Sequence, residues 1–152
     1  MSNQRETQKL KLGFTLLELL LVFALIALLA GISVPVLQSL QVRNNLDIAT
    51  NTVFQNLRRA QTLSQAVERD NRWGVMIDTE KIVIFKGESY LSRDAGFDES
   101  FNMPQGVTIS ISQEIIFLKL SGELQASKQI TLLSNSGDSK EITINEKGTI
   151  LY

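Results

Sequence analysis

One carboxylate, Glu18, interrupts the otherwise uncharged run FTLLELLLVFALIALLAGISVPVL, Phe14 to Leu37. A carboxylate in an apolar helix inside a bilayer costs about 2.5–3.5 kcal/mol on insertion scales. A chain tolerates that only where a cation can partner it, so Glu18 marks a place where charges pair. A second signal is the group Asp94, Asp98 and Glu99 around Gly96. Hard cations such as calcium take oxygen ligands of this kind, but the spacing misses the EF-hand pattern. The expectation is a solvated loop with no metal. The third signal is Arg58-Arg59, two guanidinium groups that suit phosphates or carboxylates.

Other chemistry is excluded by what the chain lacks. It has no cysteine and no histidine. That removes disulfides, thiolate nucleophiles, Cys/His zinc sites and a histidine base. No G-x-x-x-x-G-K-[ST] phosphate loop occurs, and nothing places the carboxylates and serines as an acid/base pair. No enzyme and no cofactor is expected. Net charge is −1, with residues 1–70 at +2 and residues 71–152 at −3. A mildly acidic C-terminal part is a poor grip for phosphates, which argues against nucleic acid as a partner.

The elements that must carry these residues follow from hydrophobic periodicity. Residues 1–13 are short, polar and basic. Residues 14–37 would span about 36 Å as a helix, enough for a hydrocarbon core of about 30 Å. The basic residues precede the run, so the N-terminus should stay cytoplasmic and the rest face outward. The lipid bilayer is thus an expected partner. Leu46, Ala49, Val53, Leu57, Ala60, Leu63 and Val67 recur at helical steps of three or four. Arg43, Asn44, Asn51, Gln55, Arg58, Arg59, Thr62 and Gln65 fall on other faces. The helix should end near Arg69 and kink or open locally at Pro35.

After Asn71 the period becomes two. Strands are expected at Trp73–Ile77, Ile82–Lys86, Val107–Ser112, Ile115–Leu120, Gln129–Leu133, Ile142–Asn145 and Thr149–Tyr152. Short turns between them imply antiparallel hairpins. Residues 87–105 read as irregular, pinned by Phe97, Phe101 and Met103. The fold class is therefore α+β, a long kinked helix packed on one antiparallel sheet or on a small two-sheet β domain. The division is a leader over 1–13, a membrane and assembly helix over 14–37, an amphipathic helix over 38–70, and a β domain over 71–152.

Gly13, Phe14, Thr15, Leu16 and Glu18, with the apolar helix and Pro35 behind them, resemble the leader of type IV prepilins and pseudopilins. The resemblance implies cleavage between Gly13 and Phe14 by a prepilin peptidase and methylation of the new amine on Phe14. That amine would lie four residues from Glu18, which is one helical turn, and the helix N-terminus adds partial positive charge. In a packed filament a neighbouring subunit's amine could serve instead. Glu18 and Pro35 are thus the assembly residues that the resemblance picks out. Two other readings remain. One is an uncleaved single-pass anchor. The other is an ordinary signal peptide, which needs an A-x-A-like cut site that Leu29-Ala30-Gly31 fits badly.

NLRRAQTLSQAVERDNRWGVMI, Asn56 to Ile77, and the tail KEITINEKGTILY resemble H-type minor pseudopilins and FimT-like pilins. The chain lacks the Pro-rich loop of the G-type major pseudopilin and the Cys pair of many major pilins. The resemblance implies a structural subunit of a type II secretion pseudopilus. It would sit in the cytoplasmic membrane, with other pseudopilins or pilins and an inner-membrane assembly platform as partners. The alternative is a minor pilin of a type IV or competence pilus, with DNA as a ligand.

Overall fold

The computed structural model describes residues 13–152, apart from the side chains of residues 32–40. The leader through residue 12 and the side chain of Pro35 lie outside the described residues. One helix, α1, runs from Leu16 to Gln65. The chain divides into two compact units, Met1–Gln38 and Ser39–Tyr152.

In the C-terminal unit α1 packs on two four-stranded antiparallel sheets. The strands are β1 Trp73–Ile77, β2 Lys81–Lys86, β3 Glu99–Asn102, β4 Val107–Ile109, β5 Gln113–Phe117, β6 Lys128–Ser134, β7 Ser139–Ile144 and β8 Ile150–Leu151. The first sheet has the order β3-β2-β1-β5 and the second β4-β6-β7-β8. The helix stripe Leu46, Ala49, Val53, Leu57 and Ala60 is buried against Val75, Ile77, Ile84, Ile115 and Phe117 of the first sheet and Ile130, Leu132, Ile142 and Ile144 of the second. The residues expected on other helix faces, from Arg43 to Gln65, are exposed. β4, β6 and the end of β7 turn alternate side chains inward, the period-two pattern of a sheet with one covered face, whereas β1 and β2 are buried over nearly their whole length, on both faces.

Most expected boundaries move by a residue or more (β7 starts three residues early, at Ser139), and four of the differences have a local reason. The helix ends at Gln65, not near Arg69, because Val67 takes the left-handed conformation (φ 55°) and a short 3-10 turn follows over Glu68–Asp70. β3 lies inside the segment expected to be irregular; only Phe101 and half-buried Glu99 point inward from it. β4 stops at Ile109, because Ser110–Ser112 cross from one sheet to the other, with Ser112 Oγ donating to Asp78 Oδ1 at 2.6 Å. β5 stops at Phe117, and Leu118–Leu120 turn back to the helix end, where the Leu120 N–H donates to Ser64 O at 3.1 Å.

Two polar side chains key the helix into the sheets. Ser64 Oγ accepts the Trp73 N–H at 2.9 Å and lies 3.3 Å from the carbonyls of Trp73 and Phe117. It thus stands where β1 and β5 run out of ladder partners. Gln61 Nε2 donates to Gly122 O at 3.0 Å and to Gly148 O at 2.8 Å, tying the helix to two turns. Both glycines have positive φ (+67° and +77°), and a Cβ on Gly148 would overlap Gln61 Nε2 and Gly122 O.

Candidate functional site

The N-terminal unit offers the strongest candidate. Thr15 stands just ahead of α1, and its Oγ1 accepts the Glu18 N–H at 3.2 Å. The Leu19 N–H donates to Thr15 O at 3.1 Å. Thr15 is thus an N-cap, which satisfies donors that the first helical turn leaves orphaned. Thr15-Leu-Leu-Glu18 is also the sequence signature of a capping box. Glu18 therefore sits in the first turn of the helix, where the helix dipole favours negative charge.

Phe14 lies one residue outside the cap and is 84 % exposed. The four-residue spacing from Phe14 to Glu18 is therefore not a helical turn here. Phe14 falls before the cap because Thr15 breaks from helical geometry to bond the Glu18 N–H. Among the described residues, a Cβ built at Gly13 would meet nothing within 4 Å. No ion pair among the described residues involves Glu18. Around it, Leu16, Leu17, Leu19, Leu20, Leu21, Val22, Phe23, Leu25, Ile26 and Leu28 are all exposed. A helix that is apolar all round requires an apolar environment outside its own fold. Among the described residues no helix is long and apolar enough to cross a membrane; the described side chains of this run stop at Gly31.

The structure does not assemble the acidic cluster. Asp94 meets Lys86 Nζ at 3.4 Å and accepts the Gly96 N–H at 3.3 Å. Asp98 takes Arg93 Nε at 2.8 and 3.0 Å, and Glu99 takes Arg59 at 2.8 Å. Each carboxylate faces a different cation, and no metal-holding group occurs among the described residues. The hydrogen bond to Asp98 raises the Arg93 pKa, and that to Glu99 raises the Arg59 pKa. Arg58 is also engaged, 3.2 Å from Gln61 Oε1 and 5.5 Å from the Phe54 ring centre. The arginine pair therefore serves the domain's own packing.

Sequence reasoning named Gly13, Phe14 and Glu18 but not the capping role of Thr15. The Thr-x-x-Glu spacing was the signal available for it. Residues 8–34 match the prokaryotic N-terminal methylation motif. The motif includes Gly13, Phe14, Thr15 and Glu18, and the N-terminal end of the chain is type IV pilin-like. The match ends before the C-terminal unit. No curated protein and no solved structure matches the chain. The motif implies processing by a prepilin peptidase, an inner-membrane anchor and assembly with other pilin-like subunits.

Proposed function

We propose that this chain is a non-enzymatic structural subunit, a minor pseudopilin of a type II secretion pseudopilus. Prepilin peptidase cuts between Gly13 and Phe14, and the new amine on Phe14 is methylated. Residues 14–37 hold the subunit in the cytoplasmic membrane, N-terminus inward, until an assembly platform draws it into the filament. Glu18 then meets the amine of a neighbouring subunit, and Pro35 lets the helix bend as it packs. Residues 71–152 form the outward β domain, and residues 38–70 link it to the anchor.

The observation that carries this reading is that the methylation motif opens the same helix, Leu16–Gln65, whose later turns form the core of the C-terminal unit. An apolar stretch built that way joins a folded domain to a membrane or a filament, rather than serving as a detachable signal. The finer assignment rests on the Asn56–Ile77 segment and the closing hairpin around Gly148, together with the absence of a cysteine pair. Pairing of Glu18 with a neighbour's amine fits its place in the first helical turn, since its own Phe14 stands outside the helix.

The test is the mass and N-terminal sequence of the protein purified from membranes of cells carrying a prepilin peptidase. A chain beginning at methylated Phe14 is expected. A chain that keeps Met1, or begins elsewhere, overturns the reading. Copurification with secretion components is expected from the same membranes; copurification with pilus components would transfer the subunit to a type IV or competence pilus. The engagement of Arg58 and Arg59 within the domain weighs against a DNA-binding role there.

A further inference from the structure

The first sheet ends at β5, whose outer edge has no strand partner among the described residues. Backbone groups alternate in direction along a strand. Those of Leu118 turn away from β1, the N–H to Glu123 O at 2.8 Å and the C=O to the Gly122 N–H at 2.9 Å. Glu114 and Ile116 share that direction, so their N–H and C=O groups lie along the open edge. The second sheet presents a facing row. Gln129 O and Thr131 O turn away from β7, where Gln113 Nε2 (2.8 Å) and the Ser110 N–H (3.1 Å) reach them. β4 pairs β6 only over Leu132–Ser134, so among the described residues Lys128–Thr131 has no strand on that side.

The two edges touch through Gln113 and Gln129, then part around a cavity of about 360 Å³. Its walls include Glu114, Ile116 and Leu118 on one side and Ala126 and Lys128 on the other. That volume is at the small end of the roughly 300–1,000 Å³ range of ligand pockets. The charges at the mouth are unevenly matched. Arg72 pairs with Glu88 at 3.2 Å, and Glu114 accepts the Tyr90 N–H at 2.9 Å. Among the described residues Lys128 has no ion-pair partner. Open strand edges beside apolar side chains are where extended segments add to a sheet, main-chain bonds giving affinity and side-chain pockets specificity.

We propose that this cleft receives an extended segment of another protein, paired with β5 and carrying a carboxylate opposite Lys128. Alternate side chains of the segment are apolar and rest on Ile116 and Leu118. The inference stands apart from the filament reading, because every residue that frames the cleft lies between Arg72 and Thr131.

The test uses the full chain in detergent and a fluorescein-labelled short peptide of alternating valine and threonine ending in aspartate, followed by anisotropy. Saturable binding is expected. Replacing the aspartate by lysine should weaken it about fivefold, and methylating alternate backbone nitrogens should abolish it. Lys128→Glu, with an unchanged circular dichroism spectrum, should reverse the charge preference. The proposal is overturned if the folded wild type shows no saturable binding. It is equally overturned if the backbone-methylated peptide binds as well, or if Lys128→Glu keeps the preference for aspartate.

Discussion

Thr15 fixes where Glu18 stands. By capping the helix it sets the carboxylate in the first turn and leaves Phe14 outside, and the proposed function pairs Glu18 with the amine of a second subunit. Glu18→Ala should therefore leave membrane insertion intact, since it removes a charge that costs about 2.5–3.5 kcal/mol in an apolar helix. It should lower recovery of sibling subunits in a crosslinking pull-down; undiminished recovery would count against the pairing. Glu18 was legible in the sequence because a lone charge in an apolar run has few explanations. Its geometry was not, because the run's pattern does not say which residue starts the helix.

A second residue-scale expectation concerns Asp78. The Ser112 hydroxyl first, then the Thr79 N–H at 2.7 Å, hold its carboxyl below the usual carboxylate range. A lowered folded value stabilises above the unfolded value of about 3.9 and loses that contribution as pH falls through the folded one. Carboxyl NMR should place the Asp78 midpoint below about 3.9 in wild type. Ser112→Ala should move it upward.

Among the elements, the helix is held to the sheets by hydrogen bonds as well as by its apolar stripe. The stripe from Leu46 to Ala60 could be read from spacing alone, and every member is buried. Gln61 and Ser64 could not, because a glutamine and a serine on a helix look solvated until the turns they serve are in place. Gly148→Ala should destabilise the fold by more than the roughly 1–2 kcal/mol of forcing a side chain into left-handed backbone, since its Cβ would also strike Gln61. Gln61→Leu should cost about 1–3 kcal/mol for each carbonyl left unpartnered. Denaturation followed by the single tryptophan, buried Trp73, reads both. The strands were legible wherever two or more β-branched or aromatic residues alternate. β3 escaped because Glu99 occupies one of its inward positions and bonds Arg59, which no alternation of apolar residues reveals.

At the scale of the whole molecule, residues 39–152 form a compact unit with its own core. Expressed alone, they should unfold in one cooperative step, with Trp73 fluorescence and far-ultraviolet circular dichroism giving coincident curves. Separate transitions would mean that the two sheets do not unfold as one unit. The full chain should need detergent, because the apolar side chains from Leu16 to Leu28 lie outside any core of its own.

Gln61 and Gly148 are 87 positions apart. At about 5–20 residues per second of synthesis, roughly 4–17 s separate the moment the ribosome adds Gln61 from the moment it adds Gly148. Throughout that interval the helix stripe exists without the completed second sheet, which supplies Ile130, Leu132, Ile142 and Ile144 to the core. The closing hairpin is made after every other described element of the unit, so the unit cannot finish folding until Gly148 has been added. The nascent chain thus needs shelter for its stripe, from a chaperone or from the exit machinery, for longer than the helix takes to form.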